Sequence, residues 1–165
     1  MLRLLPVFML PLLLCACGES VDKSDDTGET GDVSRDGTYS GTMTLGMTGG
    51  GGDGSCEVEL ALEVMEGGIP AVSGSTCCAV EGLSSHGDVD ICLQLGGAID
   101  GDLTITGDLS AFEQGDAASE PNGTWAGSFD ADGALSGSGS GAMQHNIGST
   151  AFDLLYDADF TLVRN

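Results

Sequence analysis

Polar and apolar side chains alternate with a period of two along most of the chain beyond residue 37. In 38–47, Tyr39, Met43, Leu45 and Met47 share one face, and Thr38, Ser40, Thr42 and Thr44 share the other. The stretch 55–64 sets Cys56, Val58, Leu60, Leu62 and Val64 against Glu57, Glu59 and Glu63. In 151–163 the apolar face is Phe152, Leu154, Tyr156, Phe160 and Leu162. Successive side chains of a strand point to opposite faces, so this rhythm predicts half-buried β-strands.

Looser candidates lie between them. The segment 88–95 groups Val89, Ile91, Leu93 and Leu95, and 102–112 groups Leu103, Ile105 and Leu109. The segments 123–129 and 134–143 flank Asp130-Ala131-Asp132-Gly133, which reads as a hairpin turn. Asp100-Gly101 and Pro121-Asn122-Gly123 are further turn signals, and one or two short strands are expected within 69–82. No stretch carries a helical period. The expected fold class is therefore all-β, an antiparallel meander of about eight strands. A small up-and-down barrel is preferred over a two-sheet sandwich, because closure removes two exposed edges. Gly137, Gly139 and Gly141 fall on one strand face, where a missing side chain permits close backbone approach or sharp coiling.

The beginning of the chain breaks the pattern. One base, Arg3, precedes an apolar run from Leu4 to Leu14 that small residues close, which is the layout of a secretory signal. Pro6 and Pro11 argue against a core helix, and the run falls short of the ~20 apolar residues a membrane span needs. Leu14-Cys15-Ala16-Cys17 resembles the lipobox of bacterial lipoproteins, with Cys15 standing where Ala or Ser is more usual. The resemblance implies that 1–16 is a signal peptide removed before Cys17, and that Cys17 carries a diacylglyceryl thioether of the kind palmitate labels. Gly18 follows instead of an Asp retention residue, which implies the outer membrane of the cell envelope, in either leaflet. Each buried CH₂ contributes about 0.8 kcal/mol, so two or three acyl chains would hold a soluble domain almost permanently.

Residues 18–37 carry seven acids, two bases and only two valines. So little apolar surface cannot offset the entropy of ordering, and 17–37 is expected to be a lipidated Cys followed by a disordered acidic tether. The remainder, 38–165, is expected to form a single all-β domain. A second resemblance concerns its ends. Gly37-Thr38-Tyr39 opening the first strand and Arg164 just past the last look like the Gly-x-Trp and closing Arg of lipocalin-type barrels, with Tyr in place of Trp. The seven aromatics of the domain are expected to be core in preference to a ligand lining.

Four cysteines, Cys56, Cys77, Cys78 and Cys92, belong to that domain. Export places them in an oxidising space, and an even number predicts disulfides in one of three connectivities. A bond between neighbours Cys77 and Cys78 would need a strained ring, so each is expected to pair outward to Cys56 or Cys92. Zinc is the rival, with His86 completing a Cys₃His set, but no C-x₂-C pair is present.

Charge narrows function further. The formal net charge is -22, and 38–165 holds 19 acids against the single base Arg164. Phosphate contacts need clustered Lys and Arg, so nucleic acid is excluded as a partner. Asp130-x-Asp132-Gly133 resembles a fragment of a calcium loop, which makes Asp130 and Asp132 the Ca²⁺ candidates. The twelfth-position Glu of an EF-hand is replaced by Gly141, and each Asp reads better as a turn residue accepting local backbone N–H groups. No other metal or cofactor is expected. Catalysis has little footing: His86 and His145 are the only histidines, Ser84-Ser85-His86-Gly87-Asp88 reads as a polar loop, and no catalytic motif is present. The expectation is a monomeric, lipid-anchored envelope lipoprotein with a non-catalytic β-domain. That domain would bind a small apolar ligand inside the barrel or an envelope protein at its surface. A structural acidic coat that retains cations and an envelope hydrolase are the alternatives.

Overall fold

Eight strands follow one another in a computed structural model that describes residues 34–84, 87–101, 103–117, 120–147 and 149–165. They are β1 (Gly37–Gly49), β2 (Gly52–Val64), β3 (Val72–Ser84), β4 (Gly87–Ile99), β5 (Thr104–Glu113), β6 (Gly123–Phe129), β7 (Leu135–Ile147) and β8 (Thr150–Arg164). Each pairs antiparallel with its neighbour in sequence, and β8 returns to β1 in register from Tyr39↔Arg164 to Gly49↔Leu154. The sheet is thus a closed up-and-down barrel, and the sandwich alternative is set aside. Closure gives every strand a neighbour on both sides.

Alternation decides which residues fill it. Met43, Leu45 and Met47 of β1, Leu60 and Leu62 of β2, Ile91, Leu93 and Leu95 of β4, and Leu154, Tyr156 and Leu162 of β8 are all buried. The intervening Thr, Glu, Asp and Ser positions face solvent. An eight-stranded barrel is just wide enough for side chains to fill it, and these do so as one continuous core.

The strands least visible in the sequence were β3 and the start of β5. β3 is one thirteen-residue strand, not one or two short ones. Its inward positions include Gly74, Thr76 and Cys78, so small side chains conceal the apolar rhythm that only Val72 and Val80 display. Leu103 does not belong to the core face of β5. It sits in the preceding turn with a left-handed backbone (φ 65°) and an exposed side chain. Hydrogen bonding to the barrel also begins before residue 38: Arg35 N–H donates to Glu66 Oε1 and Arg164 Nη1 donates to Ser34 O, 2.9 Å away.

Two disulfides lace β2, β3 and β4. Cys56–Cys78 joins β2 to β3 on the inner face, where both residues pack against the core. Cys77–Cys92 joins β3 to β4 across a directly opposed pair on the outer face. The neighbours Cys77 and Cys78 therefore bond in opposite directions through the wall, as the period-two geometry of a strand demands. The pairing outward to Cys56 and Cys92 is as the sequence led one to expect.

Strands β5 to β8 carry no such link. Their interior is built from aromatic rings seated against glycines. Trp125 packs against Phe160 with tilted rings 5.6 Å apart, and its Nε1–H donates to Gly96 O at 3.0 Å. A methyl at Gly137 would stand 2.5 Å from Phe160, one at Gly139 2.7 Å from Trp125, and one at Gly141 2.4 Å from the Tyr156 hydroxyl. The glycine face of β7 is thus the space that three rings occupy.

Candidate functional site

Three places in the barrel gather polar chemistry, and the first lies at the end away from residue 34. There Asn122, in the loop between β5 and β6, substitutes for a strand residue. Its Oδ1 accepts the N–H of Ala111 at 2.9 Å, and its Nδ2 donates to Ala111 O at 2.7 Å. The Tyr156 hydroxyl donates to the same Oδ1 at 2.7 Å. Burial pushes the Tyr156 phenol up to about 12, since the phenolate would lose its hydration. The residue read from sequence as part of a Pro-Asn-Gly turn is thus a side-chain extension of the sheet. Nearby, His145 Nδ1 and Glu113 Oε1 lie 2.7 Å apart, both only partly exposed. Glu113 ends β5 and His145 lies near the end of β7, and both strands run past the short β6 at this level.

The second place is the outer wall. Thr106, Thr124, Ala126, Ser138 and Ser140, with Asp108, Asp157 and Asp159, border a shallow open depression of about 860 Å³. Register explains the grouping: Thr106↔Ala126↔Ser138↔Asp159 form one circumferential row, and Asp108↔Thr124↔Ser140↔Asp157 form the next. Its floor is Gly107, Gly139, Trp125 and Ala158. Small outward side chains over glycine-rich strands leave a dip where a barrel would otherwise bulge. A second hollow shares Thr106, Ala126, Ser138 and Asp159 with it and continues over Thr104, Ser128, Ser136, Thr161 and Thr42. The surface is hydroxyl-lined and carboxylate-bearing, with neither Lys nor Arg. It can offer hydrogen bonds and negative charge to a partner, but no nucleophile paired to a base.

The third place is the turn between β6 and β7, which holds the calcium candidates. Asp130 Oδ1 accepts the N–H groups of Asp132 at 2.9 Å and of Ala134 at 2.8 Å, an Asx turn closing the hairpin. Among the described residues no three His, Cys, Asp or Glu side chains converge as metal ligands. All four domain cysteines are consumed in disulfides, which leaves no thiolate for zinc. Cys17 and His86 lie outside the described residues, and with them the lipobox and the Ser-Ser-His cluster.

Tyr39, Trp125, Phe129, Tyr156 and Phe160 are buried core, while Phe112 stands on the outer face opposite Cys92. The outer depression escaped sequence reasoning because its hydroxyl and carboxylate residues are spread over four strands. Alternating small polar residues in 134–143 were the available signal, but they read as an ordinary solvent face.

No protein-family profile matches the chain, and no curated protein or solved structure shows significant similarity to it. The architecture is compatible with a lipocalin-like barrel in strand number and closure, and function must be argued from the site.

Proposed function

We propose that this protein is a lipid-anchored lipoprotein of the bacterial envelope whose β-barrel binds another envelope protein through its outer wall. The supporting observation is the depression on β5–β8, a pre-formed surface of hydroxyls and carboxylates on a rigid closed sheet. A filled interior favours this over a small apolar ligand held within the barrel, although the barrel's strand number resembles that of lipocalins. Asp108, Asp157 and Asp159 select a partner of positive charge, because like charge across an interface costs several kcal/mol. The anchor at Cys17 follows from the lipobox resemblance, and the non-catalytic reading rests on the lack of a catalytic motif in the sequence.

A photo-crosslinking side chain placed at Ser138 tests it in cells, with Ser75 on β3 as the control. A discrete adduct at Ser138 that disappears in the Asp157→Lys, Asp159→Lys variant is the expected result. Identical adduct patterns from both positions, or none from either, contradict the reading. A structural acidic coat would instead give no discrete adduct and a melting temperature that climbs steeply with Mg²⁺ or Ca²⁺.

A further inference from the structure

The two ends of the barrel differ in a way the proposed function does not use. Strand order places the chain's entry at Ser34, the β2–β3 loop, the β4–β5 turn and the C-terminal Arg164 at one end. Among the described residues five large hydrophobics are exposed, and four of them are there: Met65 (64%), Ile69 (101%), Leu103 (37%) and Val163 (59%). The fifth, Leu155, lies on the wall of β8.

These are not loose tips. Glu66 N–H donates to Asp36 Oδ1 and Glu66 Oε1 accepts Arg35 N–H, so the loop bearing Met65 and Ile69 is bonded to the point where the chain enters. Met65 N–H donates to Ala71 O at 2.8 Å and Gly68 N–H to Met65 O at 2.8 Å, closing the loop on itself. Leu103 is the one described non-glycine residue with positive φ. A left-handed backbone disfavours any side chain, and Gly or Asn would fill the position with less strain. With a leucine there, 37% exposed, the turn adds to the apolar surface of this end. Both described arginines share this end: the Arg35 guanidinium lies 5.1 Å over the Phe129 ring, and Arg164 donates to Ser34 O and Asp36 O. Arginine's planar fork suits lipid phosphate.

We infer that this end is a membrane-docking face, with Met65, Ile69 and Leu103 entering the headgroup region of the bilayer that holds the anchor. The inference rests on the lipid anchor at Cys17. If the eighteen residues from Cys17 to Ser34 form the tether expected from their composition, they would span roughly 20–25 Å. That length confines the domain close to the lipid and makes docking an intramolecular event at an effective concentration of order mM. The opposite end, about 30 Å away along tilted thirteen-residue strands, would then point away from the bilayer. Carboxylates of Asp36, Glu63, Glu66 and Asp130 at the docking end oppose anionic lipid, so the surface fits phosphatidylcholine or phosphatidylethanolamine headgroups.

The test uses the full mature lipoprotein reconstituted into phosphatidylcholine vesicles that contain brominated acyl chains. Ile69→Trp and Thr150→Trp place a reporter at the docking end and at the opposite end, each on an exposed position. Flotation reports the anchor, and quenching reports docking. Flotation of both variants, with emission of the Ile69→Trp reporter cut at least roughly twofold as insertion to about 5–10 Å requires and that of Thr150→Trp unchanged, is expected. Flotation with equal quenching, or with none at Ile69→Trp, overturns the docking face and leaves the anchor standing. Failure of both variants to float overturns the anchor, and the docking face falls with it.

Discussion

Strands β2–β4 and β5–β8 build the same wall by different means. The first group is held by two covalent links, one on each side of the sheet. The second is held by rings pressed onto glycine backbone, with Trp125, Tyr156 and Phe160 as the keys. A disulfide tolerates small, unspecific neighbours, and β3 accordingly carries Gly74 and Thr76 where a core strand would normally carry bulk. Aromatic packing demands the reverse: large rings matched to positions where even a methyl does not fit. Stapling acts largely by restricting the unfolded chain, whereas packing acts on the folded state alone. One half of the barrel is therefore sensitive to redox conditions and the other to shape.

Removing the staples gives the largest expected effect. Loops of 22 and 15 residues imply roughly 3 kcal/mol for each bond, or about 6 kcal/mol together if additive. Replacing all four cysteines by Ala should lower the urea midpoint accordingly. A loss below about 1 kcal/mol would mean that β2–β4 needs no staples and that the contrast between the halves is empty.

Next in size is the alkaline limb. The Tyr156 phenol titrates near the ordinary tyrosine value of 10.0 when unfolded and is pushed up to about 12 in the barrel. Its folded value is raised, so stability is fully present below pH 10, where both states hold the proton. Between the two values only the unfolded chain loses it, and stability falls by about 3 kcal/mol by the upper end, at 1.36 kcal/mol per unit. Tyr39 is raised as well, by burial that outweighs the nearby Arg164 and Arg35. Denaturant titrations from pH 9 to 12 should show a decline that Tyr156→Phe reduces. An unchanged decline in that variant would detach Tyr156 from the account.

Gly139→Ala should cost about 2 kcal/mol, since overpacking typically costs 1–3, because the new methyl meets Trp125 at 2.7 Å and backbone at 3.0 Å. Gly96→Ala, with nothing within 4 Å, is the control and should stay within about 0.5 kcal/mol of the parent. Equal losses at both sites would show that the glycines serve backbone geometry instead of ring space. The smallest effect is Asp130→Ala, about 1 kcal/mol for the turn hydrogen bonds lost. If Ca²⁺ raised the melting temperature and this variant abolished the rise, an ion would be placed on that turn after all.

What could be read from the chain followed side-chain size. β1, β2 and β8 alternate bulky apolar with polar residues, and their faces and approximate limits were legible. β3 was not, because its inward residues are small and a disulfide supplies what bulk would have supplied. The glycine face of β7 was visible, but its three ring partners come from β6 and β8 and need the register to be known. Asn122 resembled a turn residue since nothing local distinguishes a side chain that bonds its own loop from one that extends a strand eleven residues away. The outer depression and the apolar end of the barrel are likewise products of closure, which gathers loops and rows that the sequence keeps apart.

The central proposal is that this barrel is held to lipid at Cys17, on which the envelope location and the docking face both rest. Labelled palmitate fed to cells expressing the full chain or its Cys17→Ser variant measures that directly. Label on the parent protein and none on the variant is the expected result. Equal labelling of both, or none on either, would contradict the account.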